Sequence, residues 1–333
     1  MLYNIAMIQF TIKENEEKQR LDRFLKKYFR NAPLSYIYKL IRKGVKVNGK
    51  RVPIETQLNI GDEIAIYISQ EEADSFRAHE KYHTIKKQFH VAYEDENLLI
   101  VEKPFGLLTH GTKEEKKNTL ANQVIAYLIE EGVYCPRLEK TFVPSPVNRL
   151  DRNTTGLVIF GKNYASVKSL NRMLREKGFI RKYYLTVVAG ELRKELDLID
   201  RMEKENSKNR VRVLKDEETQ GKIMETIARP IKYAGGYTLV EVELVTGRTH
   251  QIRAHLAKAG YPIIGDTKYG NPLVNRKVQQ NFSLSTQFLH AYRLCFDEIL
   301  PPLTNMKGKE IKSSLPANLE CIKKKMFGED INK

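Results

Sequence analysis

Cysteine is scarce: Cys135, Cys295 and Cys321 are odd in number, far apart, and include no Cys-x-x-Cys spacing. That excludes a disulfide framework and a zinc knuckle, and the expected compartment is a reducing cytoplasm. No apolar run approaches the ~20 residues a bilayer-crossing helix needs. The opening Met-Leu-Tyr-Asn-Ile-Ala-Met-Ile has no basic region and no small-residue cleavage site, so no secretory signal is read there. Low-complexity tracts and repeats of solenoid period are also missing. So are the phosphate loop, the Gly-x-Gly-x-x-Gly fingerprint and the Gly-x-Ser-x-Gly elbow, which removes support for nucleotide-cofactor and serine-hydrolase chemistry. His250 and His255 lie five apart and face different ways on a helix, a poor pair for zinc. Neither a metal nor a cofactor is expected.

What is present is positive charge. The chain of 333 residues carries 57 Lys and Arg against 41 Asp and Glu, a formal net charge of +16. Such a surface suits a polyanion, either nucleic acid or an acidic membrane face. Hydrophobic residues at 41% supply a proper core and exclude general disorder, while the length favours two domains.

Acidic residues are nearly absent between positions 18 and 50, where Asp22 stands alone against eleven basic side chains. Leu21, Phe24, Leu25 and Tyr28 fall at i, i+3, i+4 and i+7, predicting an amphipathic helix with Arg20, Arg23, Lys27 and Arg30 as a basic stripe. Ser35 can cap a second helix that ends at Gly44, with Lys39, Arg42 and Lys43 outward. Val45 to Val52 around Asn48-Gly49 reads as a hairpin, and Leu58 to Ile68 as a further turn and strand. The order Arg20-Leu-Asp22, Ser35, Gly44-Val-Lys-Val-Asn-Gly49 and Gly61-Asp-Glu63 resembles the S4 RNA-binding module. The resemblance implies binding to structured RNA through Arg20, Arg23, Lys27, Lys39, Arg42 and Lys43. The expected organisation is a small α/β S4-like module at 1–70 (core 18–68), a polar linker at 71–89, a catalytic domain at 90–325 and a tail at 326–333. The run Lys323-Lys-Lys325 is read as solvated tail.

Beyond His90, strands are expected at Val91–Tyr93, Leu98–Glu102, Leu157–Phe160, Tyr183–Ala189 and Thr238–Val245. Helices are expected at Thr119–Glu131, Tyr164–Lys177 and Thr249–Ala259. The alternation is too irregular for a doubly wound sheet, so the expected class is α+β with a mixed, mostly antiparallel sheet.

Two polar clusters could carry chemistry. Asp151 lies just ahead of an apolar strand, with Arg149 at −2 and Arg152 at +1. These neighbours would keep its carboxylate ionised as a nucleophile or base, or simply form a structural pair braced by Thr154 and Thr155. Thr249 would cap a helix on which Arg253 borders the apolar stripe, placed to grip a carboxylate or to be solvated. His250 reads as a hydrogen-bonding residue at that helix's N-terminus. Tyr184 is either sheet packing or a platform for a base.

His90-Val-Ala-Tyr-Glu-Asp95 through Lys103-Pro-x-Gly106, Arg149-Leu-Asp151-Arg152-x-Thr-x-Gly156, Lys182-x-Tyr184-Leu, Thr246-Gly-Arg-Thr-His-Gln-Ile-Arg253 and Gly265-Asp-x-x-Tyr269-Gly270 occur in order. This series resembles the pseudouridine synthases that modify large-subunit ribosomal RNA, over residues 18 to 300. The resemblance implies that Asp151 attacks C1′ or takes a sugar proton, Arg253 pairs with it, and Tyr184 stacks on the detached uracil. Arg149 would fill the space of a flipped base or hold the backbone, and Arg152 would contact phosphate. The implied partner is structured RNA, 23S rRNA or a ribosome assembly intermediate, bound by a cytoplasmic monomer with no membrane association. A tRNA-directed synthase and a non-catalytic RNA-binding protein are the other readings. Asn148 stands where the family has His.

Overall fold

The computed structural model describes residues 5–76, 85–112, 114–136, 141–205, 210–214 and 220–328. The N-terminal part contains β1 (Ile5–Thr11), α1 (Leu21–Tyr28), α2 (Leu34–Gly44), β2 (Val45–Val47), β3 (Glu63–Ser69) and α3 (Gln70–Phe76). Its three strands lie in the order β1-β3-β2, all antiparallel. Phe24, Leu25, Ile37 and Ile41 from the helices pack on Ile64 and Ile66 of β3.

Several expectations are corrected here. Asn48 and Gly49 do turn with positive φ, 50° and 76°. The chain after them returns for a single antiparallel bridge, Val47 with Lys50, and forms no second strand; β2 pairs along its length with β3, Val45 opposite Ile66 and Val47 opposite Ile64. Pro53 follows two residues after Arg51 and cannot donate to a ladder, while Ile64 and Ile66 offer an apolar face. Ser35 makes no cap, because α2 starts at Leu34 with Pro33 before it. Residues 70–76 form a helix rather than linker, since Ala73 is buried and Phe76 meets the Tyr36 and Phe29 rings at 4.6 and 6.5 Å. Residues 77–84 of the expected linker lie outside the described residues. At 85–89 the chain is already packed on the following part: Phe89 is buried and the Gln88 backbone N–H donates to Gln123 Oε1 at 2.9 Å.

The rest of the described chain comprises β4 (His90–Glu94), β5 (Leu98–Lys103), α4 (Leu120–Glu130), β6 (Ser145–Pro146), β7 (Thr155–Gly161), α5 (Tyr164–Met173), β8 (Ile180–Ala189), β9 (Leu196–Glu205) and β10 (Arg210–Val213). It continues with β11 (Lys222–Ala234), β12 (Tyr237–Leu244), α6 (Gln251–Lys258), α7 (Pro272–Phe282), β13 (Leu289–Phe296), β14 (Glu310–Lys312) and α8 (Ala317–Phe327). The strands form one 11-stranded sheet ordered β10-β9-β11-β12-β8-β13-β7-β5-β4, with β14 on β13 and β6 on β7. Every pairing is antiparallel except β13 with β7, so the class is α+β with a mixed, mostly antiparallel sheet.

The apolar runs of β5 and β7 follow from burial on both faces. Leu99, Val101, Val158 and Phe160 join α4 and α6 on one side, and Leu98, Ile100, Leu157 and Ile159 join α5 on the other. Each such side chain contributes about 1.5–3 kcal/mol by leaving water. Gly156 is where β7 crosses closest to β13: a Cβ there would sit 2.1 Å from the Ala291 carbonyl oxygen, so no other residue fits. Helix α8 buries Leu319, Ile322 and Phe327. The expected tail is therefore corrected through Phe327, and Lys323 pairs with Glu320 on that helix.

The two parts touch directly. Thr141 Oγ1 donates to Glu16 Oε1 at 3.0 Å, and the Tyr164 backbone N–H donates to Asn15 Oδ1 at 3.0 Å.

Candidate active site

Asp151 sits in the loop leading into β7, and that loop is braced from several sides. Asn148 accepts from the Ile159 backbone N–H at 2.8 Å, which gives this residue a structural role in tying the loop to β7. Thr109 Oγ1 donates to the Leu150 carbonyl at 3.0 Å and accepts from the Leu150 N–H at 3.2 Å. Lys103, 1% exposed, donates to the carbonyls of Pro104, Leu107 and Arg152 at 3.0, 2.8 and 2.9 Å. Burial pushes its ammonium down to about 7, the Asp151 charge opposing that fall. Three carbonyl acceptors match the three donors of the protonated form. Thr155 Oγ1 lies 2.8 Å from His290 Nδ1 and Thr154 Oγ1 accepts from Gln287 Nε2 at 3.4 Å, so both threonines brace this junction.

Arg253 arrives from α6. Its Nη1 donates to Asp151 Oδ2 at 2.8 Å, while Nε and Nη2 grip Asp266 Oδ2 and Oδ1 at 2.6 and 2.8 Å. Asp266 is fully buried and Arg253 is 5% exposed. Burial alone would lower the guanidinium's pKa, but the bonds and charge of Asp266, then of Asp151, hold it above its ordinary value. Burial would raise Asp266, but the bonds and charge of Arg253, helped by the backbone N–H groups of Tyr269 and Lys268, hold it below the usual range. A fork held rigidly from beneath presents an Nη1–H to Asp151 in a fixed direction. Gly265, with φ 74°, permits this: a Cβ would lie 2.2 Å from the Thr286 carbonyl oxygen.

Tyr184 lies on β8 between Val242 of β12 and Ala291 of β13, at the middle of the sheet. Burial, then the charge of Asp151, pushes its phenol up, so it is protonated at neutral pH. Helix α6 does not begin at a Thr249 cap as expected. It begins at Gln251, after His250 in a left-handed conformation with φ 53° and no side-chain cap. Gln251 holds the preceding loop instead, accepting from Thr246 Oγ1 at 2.8 Å and the Arg248 N–H at 3.0 Å.

Asp151, Tyr184, Arg253 and Arg149 line one open pocket, together with His250 and Leu289. Arg152 points elsewhere, exposed and paired with Glu115 at 2.8 Å. In the N-terminal part Arg23, Lys39, Arg42 and Lys43 are exposed. Arg20 is engaged with Asp22 at 3.1 and 3.0 Å. Lys27 donates to Gln19 Oε1 at 2.7 Å and lies 5.3 Å from the Tyr164 ring centre, against α5 of the larger part. Asp266, Tyr269, His250 and Lys103 belong to the site or its support, a role that sequence reasoning does not assign them. Their one signal in the sequence is their place in the ordered motifs. Among the described residues no cluster of three or more His, Cys, Asp or Glu could hold a metal ion, and no helix is long and apolar enough to cross a membrane.

The mixed, mostly antiparallel sheet that carries Asp151, Arg253 and Tyr184 is a fold found in solved proteins. Human RNA Pseudouridylate Synthase Domain Containing 1 shares it, with a TM-score of 0.51 at 20% identity over 72% of this chain and 86% of that one. Human RNA Pseudouridylate Synthase Domain Containing 4 does so at 0.52 and 20% identity, over 69% and 90%. The RNA pseudouridylate synthase family profile matches residues 97–258. Ribosomal large subunit pseudouridine synthase C of Escherichia coli K12 is 33% identical over 291 residues, 86% of this chain and 87% of that protein. The Pasteurella multocida protein of the same name is 32% identical over 334 residues, 98% and 94%. The chain belongs to the RNA pseudouridine synthases, enzymes that isomerise uridine to pseudouridine within RNA.

Proposed function

We propose that this isomerase acts on uridine in large-subunit ribosomal RNA, as the names of its relatives indicate for them, and that the pocket around Asp151 is where it does so. The observation that carries the reading is the Arg253 bridge, which ties a partly exposed Asp151 to a fully buried Asp266 beside Tyr184. The N1–C1′ bond breaks, the uracil turns, a C5–C1′ bond forms, the C5 proton leaves, and N1 gains a proton. Only one carboxylate is needed at the sugar, unlike the acid and base pair of an ordinary glycosidase. Asp151 either attacks C1′ or takes a sugar proton to give a glycal. Arg253 fixes the carboxylate's orientation in both routes, and the Tyr184 ring stacks on the freed uracil while it turns. The uridine is unreachable inside a helix, so it is flipped out at about a few kcal/mol, with Arg149 at the pocket mouth to fill the space.

Recognition of structured RNA falls to the S4-like N-terminal part through Arg23, Lys39, Arg42 and Lys43, which face solvent. Arg20 and Lys27 serve the architecture of that part instead. The protein works as a cytoplasmic monomer on 23S rRNA or an assembly intermediate. Tritium release from [5-³H]uridine-labelled 23S transcript tests the reading. Wild type releases tritium and Asp151→Ala does not. Release by the alanine variant at the wild-type rate overturns the role of Asp151, and wild-type release from tRNA alone overturns the ribosomal target.

A further inference from the structure

His250 is not consumed by the roles above, yet its side chain is only 8% exposed and its Nε2 lies 3.8 Å from Asp151 Oδ2. On the far side its Nδ1 lies 3.0 Å from Tyr269 Oη. That hydroxyl in turn accepts from the backbone N–H of Val211, in edge strand β10, at 2.7 Å. A phenol that accepts from the Val211 N–H and gives its own proton to the imidazole uses its donor within these two contacts. Nδ1 is then an acceptor and Nε2 carries the hydrogen.

We propose that His250 is a positioning residue, held by Tyr269 as the Nε2–H tautomer so that it aims a donor at Asp151 Oδ2. Arg253 Nη1 already donates to the same oxygen at 2.8 Å. Two donors converging on Oδ2 leave Oδ1 as the oxygen presented to the sugar. The inference rests on Asp151 being the reacting carboxylate. The present 3.8 Å exceeds a hydrogen bond, but a movement of ~1 Å closes it, and such contacts commonly tighten when substrate binds.

Three observations support this. Burial keeps the imidazole below its ordinary pKa; Asp151 and Asp266 oppose that, while Arg253 and Lys268 reinforce it, so the ring is neutral and can hold one fixed tautomer. The Tyr269 ring is itself packed by the guanidinium groups of Arg253 and Arg210, at 5.3 and 5.6 Å from its centre. The backbone of His250 is left-handed, a conformation that costs a side-chain-bearing residue energy and tends to persist at functional positions.

The test has two arms. In the free protein, ¹⁵N NMR of His250 reads the tautomer without any RNA. The expected pattern is protonated Nε2 and bare Nδ1 in wild type, and a mixture in Tyr269→Phe. Bare Nε2 in wild type overturns the proposal. In single-turnover tritium release, His250→Ala is expected to lower the rate about 10- to 100-fold with KM for RNA unchanged. His250→Gln, whose amide nitrogen can reach the Nε2 position, is expected to restore most of it. An alanine variant within twofold of wild type, or a glutamine variant no better than alanine, overturns the donor role. Melting curves identify a variant that has simply unfolded, and the NMR arm on wild type then still decides. Wild type and Asp151→Ala run beside them, so a wrong substrate shows as silence in wild type itself and is not mistaken for failure of the His250 inference.

Discussion

Arg253 and Arg42 carry the same guanidinium in opposite surroundings. Arg253 is 5% exposed and makes three charge-assisted bonds to two carboxylates. Arg42 is exposed, and its Nε donates to the Tyr38 carbonyl at 3.2 Å. The larger part holds the Arg253 charge buried and fixed in direction. The N-terminal part spreads its charges over solvent-facing helix positions, where side chains can adapt. A buried fork specifies geometry, whereas a screened surface array supplies attraction that depends on salt. The net charge of +16 therefore mixes two kinds of positive charge that composition alone does not separate.

The largest effect should come from breaking the buried kind. Arg253→Met leaves Asp266 without either of its guanidinium bonds in a fully buried position. Stability should fall by about 3–5 kcal/mol, since an uncompensated buried charge is left behind. Activity should fall to background even at temperatures where the variant remains folded. Arg253→Lys should rescue little, because a single ammonium cannot span two carboxylates in this geometry. Chemical denaturation alongside tritium release checks both. A fully active lysine variant would show that the fork geometry is not needed.

Much of this pocket is legible in the sequence because its residues fall in short ordered stretches. Asp151 and Arg149 share one loop and Arg253 one helix, so a local motif carries each. Asp266 has the same visibility in Gly265-Asp266, but nothing local says that it reaches back to Arg253. That pairing is made by the fold. The strands read best where both faces are buried, as in β5 and β7, whose apolar runs are unbroken. Strand β11 escapes such a reading because it mixes charges with Pro230, which sits where its register with β12 shifts. The Asn48-Gly49 turn is plain in the sequence, but a turn does not name the strand that pairs with what precedes it. Ile64 and Ile66, well downstream, decide that.

A smaller effect separates the two parts by pH. No histidine occurs among residues 5–76, whereas His110, His250, His255 and His290 all lie in the catalytic part with their pKa values lowered, first by burial. His255 is the extreme, pushed down to about 4. Above about 6.5, the ordinary histidine value, folded and unfolded chains are both neutral at this group and it has no pH effect. Between that value and about 4 the unfolded chain takes up a proton that the fold refuses. Stability therefore falls with pH by about 1.4 kcal/mol per unit for this group, and levels off below. Hydrogen exchange from pH 7 to 4 should show protection falling in β11 and α6 ahead of α1 and α2. Equal loss in both parts, or earlier loss in the helices, would mean that the buried histidines do not set the acid limit.

The smallest effect on folding, and a selective one on binding, should come from the exposed array. Replacing Arg23, Lys39, Arg42 and Lys43 together by alanine removes four exposed cations. Melting should move little, since such surface substitutions each stay within about 0.5 kcal/mol. Affinity for ribosomal RNA at low salt should nevertheless drop about 10-fold or more. The slope of log affinity against log salt should flatten by up to ~0.9 for each phosphate that is no longer neutralised. Lys27→Met is the control that sharpens the contrast. Its ammonium is bonded to Gln19 and sits against the Tyr164 ring, and burial lowers its pKa. It should therefore leave the salt slope unchanged and show its effect where the two parts touch, as weaker exchange protection near Asn15 and Tyr164. If Lys27→Met flattened the slope as the fourfold variant does, the division between adaptable and fixed charge would have to be redrawn along α1 itself.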